Sequence, residues 1–303
     1  MPNQIQNQNF KNLIGKYGIK PNKRMGQNFL LDESVLEKII VAADISPKEM
    51  ILEIGPGLGV LTFELAKRAK QVIAIEKDKK LAEILNHELK IKNIKNVEIV
   101  NDDILKIPIR QLADQISNQA PRLPAGRQNP NYKIVANIPY YLTSPIIRKF
   151  LETENKPEAM ILMVQKEVAQ RICAKPGQMS ILSVAVQFYG WPEIVDYVSK
   201  KSFYPQPKVD SAIIKIVPKE IPEIDTKKFF KLIRTGFSAK RKFLINNLSS
   251  KIQRPPASPS EAGWAKSKFQ NIFAEIGLDE KIRAENLTIS DWLKLYAVLK
   301  NYF

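Results

Sequence analysis

Met50-Ile51-Leu52-Glu53-Ile54-Gly55-Pro56-Gly57-Leu58-Gly59 is the stretch on which the reading of the fold turns. The first half is an apolar run of strand length, and the second places a glycine at every other position. A run of that kind reads as a buried strand ending in a glycine turn. Leu61, Leu65 and Ala69 then mark one stripe of a helix over residues 60–69. Outward from this unit the same alternation continues. Strands are expected at 71–76, 96–100, 132–137 and 158–164, and a helix at 78–91. Helices are expected at 165–174 and 181–189, then strands at 193–199 and 211–217. Apolar strands alternating with helices imply an α/β fold, a Rossmann-like, mostly parallel sheet of seven strands covered on both faces. The last two strands are too closely connected for a helical crossover and should form an antiparallel edge pair.

After Pro218 the strand signal ends. Residues 229–237, 241–248, 264–276 and 290–300 have helical spacing. The chain is therefore read as a ligand-binding domain over residues 1–218, with a basic N-terminal segment at 1–31, and a small all-helical domain over 219–303. Residues 114–131 and 252–263 are rich in Pro, Ala, Gly and Ser and read as inserted surface loops.

Charge narrows the partners. Lys and Arg number 47 against 31 acids, a formal net charge of +16. The excess is clustered. Lys11, Lys16, Lys20, Lys23 and Arg24 have no acid among them, and nine bases, including Lys240, Arg241 and Lys242, lie between Asp225 and Glu261 without one. Like charges gathered this way repel unless a polyanion neutralises them, which points to nucleic acid. No apolar run reaches membrane-spanning length, the N-terminus has no signal-peptide core, and Cys173 stands alone. A soluble cytoplasmic protein without disulfides is expected. His87, the only histidine, reads as a surface residue. No His/Cys cluster suggests a metal, and the three tryptophans read as packing residues.

Two constellations carry chemistry. Gly55, Gly57 and Gly59 allow close backbone approach to a ligand, Glu76 ends the next strand where a carboxylate can accept ribose hydroxyls, and Asp103 follows the third strand. A dinucleotide fold is the rival, but it expects its third glycine at position 60, which is Val. The second constellation is Asn137-Ile138-Pro139-Tyr140, ending the fourth strand. Methylating an exocyclic amino group requires two acceptors for its N–H groups, which aim the nitrogen lone pair at the methyl. The Asn137 side-chain oxygen and the backbone carbonyl of Ile138 or Pro139 can supply them. Tyr140 offers a flat face for a flipped base, with its ring and not its hydroxyl expected to act.

With these motifs in view, the chain resembles the ribosomal RNA adenine N6,N6-dimethyltransferase family, in its bacterial small-subunit (16S) branch. The resemblance spans nearly the whole chain. It implies a methyltransferase-type fold and S-adenosyl-L-methionine as methyl donor, without metal. It also implies dimethylation of two adjacent adenines near the 3′ end of small-subunit rRNA, in the immature 30S subunit, by a protein taken as a monomer. Gly26-Gln27-Asn28-Phe29-Leu30 looks like the family's N-terminal cofactor motif, so Asn28 and Leu30 join Gly55, Glu76, Asp103 and Asn137 as cofactor residues. Asn137, Pro139 and Tyr140 take the catalytic positions. Phe203, in Phe203-Tyr204-Pro205-Gln206-Pro207, resembles the family's base-stacking Phe, and Lys240, Arg241 and Lys242 its basic C-terminal region. The segment 176–180 lacks the family's usual Tyr-Gly, and the two inserts are not family features. Two alternatives stay open: a resistance-type methyltransferase of large-subunit rRNA, and a non-catalytic RNA-binding assembly factor on the same fold.

Overall fold

The computed structural model describes residues 13–22, 25–112, 132–250 and 264–303, the side chains of the last stretch from residue 267 on. The inserts at 114–131 and 252–263, and Lys11, Lys23, Arg24, Lys251 and Arg254, lie outside the described residues.

In chain order the strands of the main sheet are β2 (Met50–Ile54), β3 (Gln71–Ile75), β4 (Val97–Val100), β5 (Tyr132–Asn137), β6 (Ala159–Gln165), β7 (Gly190–Val198) and β9 (Ser211–Pro218). They lie in the order β4-β3-β2-β5-β6-β9-β7. The first five are mutually parallel, while β9 runs antiparallel between β6 and β7. The seven-stranded sheet and its antiparallel edge agree with the sequence reading. The order reverses beside β2: the chain steps outward through β3 and β4, then returns to β5 on the other side. In parallel sheets such a switch point leaves a crevice at the carboxyl ends of the strands. All of β2 is buried, its four apolar residues and Glu53 alike.

Helices α1 (Glu33–Ala43), α2 (Val60–Ala66), α3 (Lys79–Ile91) and α4 (Thr143–Leu151) belong to this unit. The Asp78 carboxylate accepts from the N–H groups of Lys80 and Leu81 and caps α3, which starts just after the Glu76-Lys77-Asp78 turn. A second, two-stranded sheet pairs β1 (Phe29–Leu30) with β8 (Phe203–Tyr204), antiparallel, with Leu30 opposite Phe203. Leu30 and Phe203 are both buried in the core formed with α1 and the sheet.

The second unit comprises residues 170–189 and 220–303. It holds the end of α5 (Lys166–Ile172), then α6 (Ile181–Tyr189), α7 (Thr226–Gly236), α8 (Leu244–Ser249), α9 (Trp264–Glu275) and α10 (Ile289–Leu299). This differs from a division at 218, because α6 packs with α7: Phe188 stacks on Phe229 at 4.8 Å between ring centroids. Residues 241–243 are not helical, and α8 begins at Leu244. Trp292 is fully buried as expected, but Trp191 is 65 % exposed, with the Lys219 ammonium 4.0 Å from its ring centroid, so it is not a packing residue. His87 is exposed. No described helix is long and apolar enough to cross a membrane.

Candidate active site

The turns that leave β2, β3, β4 and β5 meet the N-terminal motif around one cleft. Asn28, Leu30, Gly55, Glu76, Asp103, Asn137, Pro139 and Tyr140 all line it. Eight positions chosen from separate stretches of sequence thus converge on one place.

Glu76 organises the glycine turn. Its Oε2 accepts from the Gly57 N–H at 3.0 Å, and its Oε1 from the Asp78 N–H at 2.8 Å. Burial pushes its pKa up, and those backbone N–H groups pull against the rise. Each carboxylate oxygen has a second acceptor site, so the group can still take two hydroxyls. Gly57 sits at φ +58°, and a Cβ there would come within 3.1 Å of the Phe29 ring. A side chain at this position would be both strained and crowded against the N-terminal motif.

Asp103, just after β4, lines the same cleft. Its Oδ2 meets the Lys77 ammonium at 2.9 Å, and its Oδ1 accepts from the Leu105 N–H at 3.0 Å. Burial acts to raise its pKa, but Lys77 and Leu105 together outweigh this and hold it below the ordinary value. Asp103 is therefore ionised and fixed. Sequence reasoning missed Lys77; its position one residue after Glu76 was the available signal.

The N-terminal motif is tied to the rest by short polar contacts. Gln27 donates to Asp78 Oδ2 at 3.0 Å. Asn28 donates from Nδ2 to the Gly26 carbonyl at 3.1 Å, and Asn137 donates from Nδ2 to the Asn28 carbonyl at 3.2 Å. Gly26 adopts φ +65°, and a Cβ there would stand 3.4 Å from Pro139 and 3.6 Å from Tyr141. The motif thus lies directly on the Asn137–Tyr141 turn. Tyr141, 55 % exposed at the rim, is another residue the sequence reading did not single out.

The Tyr140 hydroxyl shares a 2.7 Å hydrogen bond with Ser211 Oγ, a fully buried group on β9. Burial raises the Tyr140 pKa, partly countered by that bond. The hydroxyl therefore has a task of its own, anchoring the ring, which the sequence reading did not give it.

Phe203 is not on the cleft. Its side chain is 4 % exposed and packs into the core with Leu30, while the adjacent Tyr204 is 47 % exposed. The base-stacking assignment of Phe203 is corrected accordingly: in this structure it is a core residue. Lys240, Arg241 and Lys242 lie in the second unit, exposed, in the turn between α7 and α8. The turn is held by buried Asn247, whose Nδ2 donates to the carbonyls of Gly236 at 2.6 Å and Ala239 at 3.1 Å.

A switch-point cleft, a buried carboxylate under a glycine turn and an Asn-Ile-Pro-Tyr strand end are joined by what comparison with known proteins finds. Residues 18–300 match the ribosomal RNA adenine dimethylase family. The chain belongs to that family. A ribosomal RNA small subunit methyltransferase A of Dehalococcoides mccartyi is 42 % identical over 291 residues, 94 % of this chain and 90 % of its own length. The protein of that name from Bacillus cytotoxicus is 40 % identical over 290 residues, covering 94 % and 93 %. Among solved structures, a dimethyladenosine transferase from Plasmodium falciparum is similar with TM-score 0.70 and 29 % identity, covering 90 % of this chain and 98 % of that one. The 23S rRNA methyltransferase ErmE is similar with TM-score 0.65 and 26 % identity, covering 90 % and 99 %. The protein is thus an rRNA adenine dimethyltransferase, with a methyltransferase-type sheet.

Proposed function

We propose that this enzyme transfers methyl groups from S-adenosyl-L-methionine to the N6 atoms of two adjacent adenines near the 3′ end of small-subunit rRNA. The observation that carries the reading is the convergence of Asn28, Gly55, Glu76, Asp103 and Asn137 on a single cleft. Their chemistry fits the cofactor. Glu76 would take the ribose hydroxyls, Asp103 the adenine amino group, and the backbone at Gly55 the methionine end, with Leu30 and Asn28 covering it. The cofactor supplies a methyl group already activated by its sulfonium, so the chain need not provide a nucleophile.

What the protein contributes is position. With its Nδ2 donating to Asn28, Asn137 keeps its Oδ1 as an acceptor for one N–H of the target amine. A backbone carbonyl of Ile138 or Pro139 takes the other. Two acceptors draw the lone pair out of conjugation and aim it along the line of displacement. Tyr140, anchored on Ser211, stacks on the base. After transfer the amine loses a proton to solvent. Lys240, Arg241 and Lys242 bind the RNA backbone.

The small-subunit choice is supported by relatives of 40–42 % identity that carry that name. The likeness to a 23S rRNA methyltransferase keeps a large-subunit target as the second reading. The test is transfer of labelled methyl to undermodified 30S and 50S subunits, with the modified positions mapped by mass spectrometry. Labelling of 50S alone would reject the small-subunit reading. Cofactor binding without labelling of either would favour an assembly factor.

A further inference from the structure

Beneath the glycine turn sits a carboxyl group that the transfer step above does not use. Glu53 lies on β2, is 1 % exposed and lines the floor of the cleft. Its Oε2 is fully buried without a hydrogen-bond partner, and the Thr62 hydroxyl on α2 is buried without one as well. Burying an ionised carboxylate with no partner is costly, and such groups take up a proton instead. Burial pushes Glu53 up to about 8, the nearby Thr62 hydroxyl offsets part of the rise, and the Glu76 carboxylate just past the end of β3 adds to it. The other charged or titratable side chains lining the cleft are Asp102 and the Asp103–Lys77 pair by β4, and Tyr140 and Tyr141 after β5, with the uncharged Asn137 at the end of that strand. Asp103 and Lys77 largely neutralise each other, and no described cation acts on Glu53. In the free protein at neutral pH the carboxyl is therefore mostly a neutral acid, two residues before Gly55 in the lining of the cleft.

We propose that Glu53 senses the charge of the ligand: it releases its proton when a cationic methyl donor fills the cleft, and regains one when transfer leaves a neutral product there. The inference rests on the cofactor reading above. S-adenosylmethionine and S-adenosylhomocysteine differ by one methyl and one positive charge. In a water-poor cleft a sulfonium favours the ionised form of a nearby carboxyl, and a thioether does not. The proton passes to solvent on binding and returns from solvent after transfer; no bond to carbon forms or breaks at Glu53. The consequence is selectivity between donor and product. Affinity for the cation rises with pH by at most about tenfold per unit below pH 8, while affinity for the thioether does not.

The experiment is titration calorimetry on the full-length protein at pH 7, repeated in buffers of different ionisation enthalpy, with each ligand. The expected result is a proton release approaching about one per site for the sulfonium beyond that for the thioether. Glu53→Gln, close in shape and unable to ionise, should remove that difference. Equal proton counts for the two ligands, or a difference that persists in Glu53→Gln, would overturn the inference while leaving the cofactor reading intact. Binding of neither ligand would overturn both. Should Glu53→Gln not fold, infrared difference spectra of the unaltered protein decide: a protonated-carboxyl band should vanish with the sulfonium and remain with the thioether. A band unchanged by either ligand refutes the proposal.

Discussion

Asn137 holds itself in place with one half of its amide and is left with the other half for work. Because Nδ2 donates to the Asn28 carbonyl, the oxygen is the end free for a substrate N–H. Replacing it with Ala removes one well-placed acceptor, which should cost about 2.7–4 kcal/mol in the transition state, or roughly a hundred- to thousandfold in rate. Single-turnover methyl transfer should show this loss while S-adenosylhomocysteine affinity changes little. Near-normal turnover would remove Asn137 from the mechanism. Glu76→Ala should act the other way round. It removes the acceptor proposed for the ribose and also strips the Gly57 and Asp78 N–H groups of theirs, so cofactor binding should weaken by about 1.5–3 kcal/mol. Calorimetry showing equal affinity would reject that role. For Tyr140 the structure changes what should be expected. If only the ring face mattered, Tyr140→Phe would be silent. Its hydroxyl, however, satisfies buried Ser211, and losing it should cost about 1 kcal/mol of stability with a smaller effect on turnover.

Elements carry a different kind of constraint, seen best where helices touch. Gly236 ends α7, and a Cβ there would lie 2.4 Å from the Trp292 ring and 2.9 Å from Leu244. Alanine is the better helix former by about 1 kcal/mol. Trp292 and Leu244 are fully buried, so neither can yield, and overpacking of this kind costs about 1–3 kcal/mol. The clash should therefore win, and Gly236→Ala should lower the melting temperature of the helical unit; a rise would mean that the packing relaxes freely. The elements also show what a sequence can and cannot reveal. β2, β5 and α6 follow their apolar patterns to the residue, because burial on both faces of a strand, or on one stripe of a helix, is written in composition. The β1–β8 ribbon is not. Its strands are two residues each and come from distant parts of the chain, so no periodicity announces them. Yet its register decides that Phe203 faces the core and Tyr204 faces out, a one-residue parity that turned a proposed stacking residue into a packing one. Within the cleft, the positions of Glu76, Asp103 and Asn137 were legible because strand ends at a switch point have few places to go. Lys77, Tyr141 and the protonation of Glu53 were not, since each depends on which neighbours the fold supplies.

At the scale of the whole molecule charge governs both partner and stability. A formal net charge of +16 predicts strongly salt-dependent RNA binding. Lys240, Arg241 and Lys242 are exposed in a turn pinned by Asn247, so neutralising all three should reduce the log–log salt slope by about two to three units without unfolding the helices. An unchanged slope, read from filter binding over a salt series, would show that these bases face only water. Stability should carry the mark of Glu53. Its pKa in the folded chain is near 8 against an ordinary 4.5, so between those values the folded form holds a proton that the unfolded chain has lost. Linkage then has a definite sign. The stabilisation relative to an always-ionised carboxylate is complete below about pH 4.5 and is lost as pH rises to about 8, by up to about 1.4 kcal/mol per pH unit. Other groups titrate in the same range, but a comparison with Glu53→Gln isolates this one. Denaturant unfolding of the ligand-free proteins at pH 5, 6, 7 and 8 should show the natural chain losing ground steadily against the variant, with the gap no longer widening above pH 8. Parallel stability curves would mean that the carboxyl is already ionised in the fold, stabilised by something other than the neighbours that surround it here.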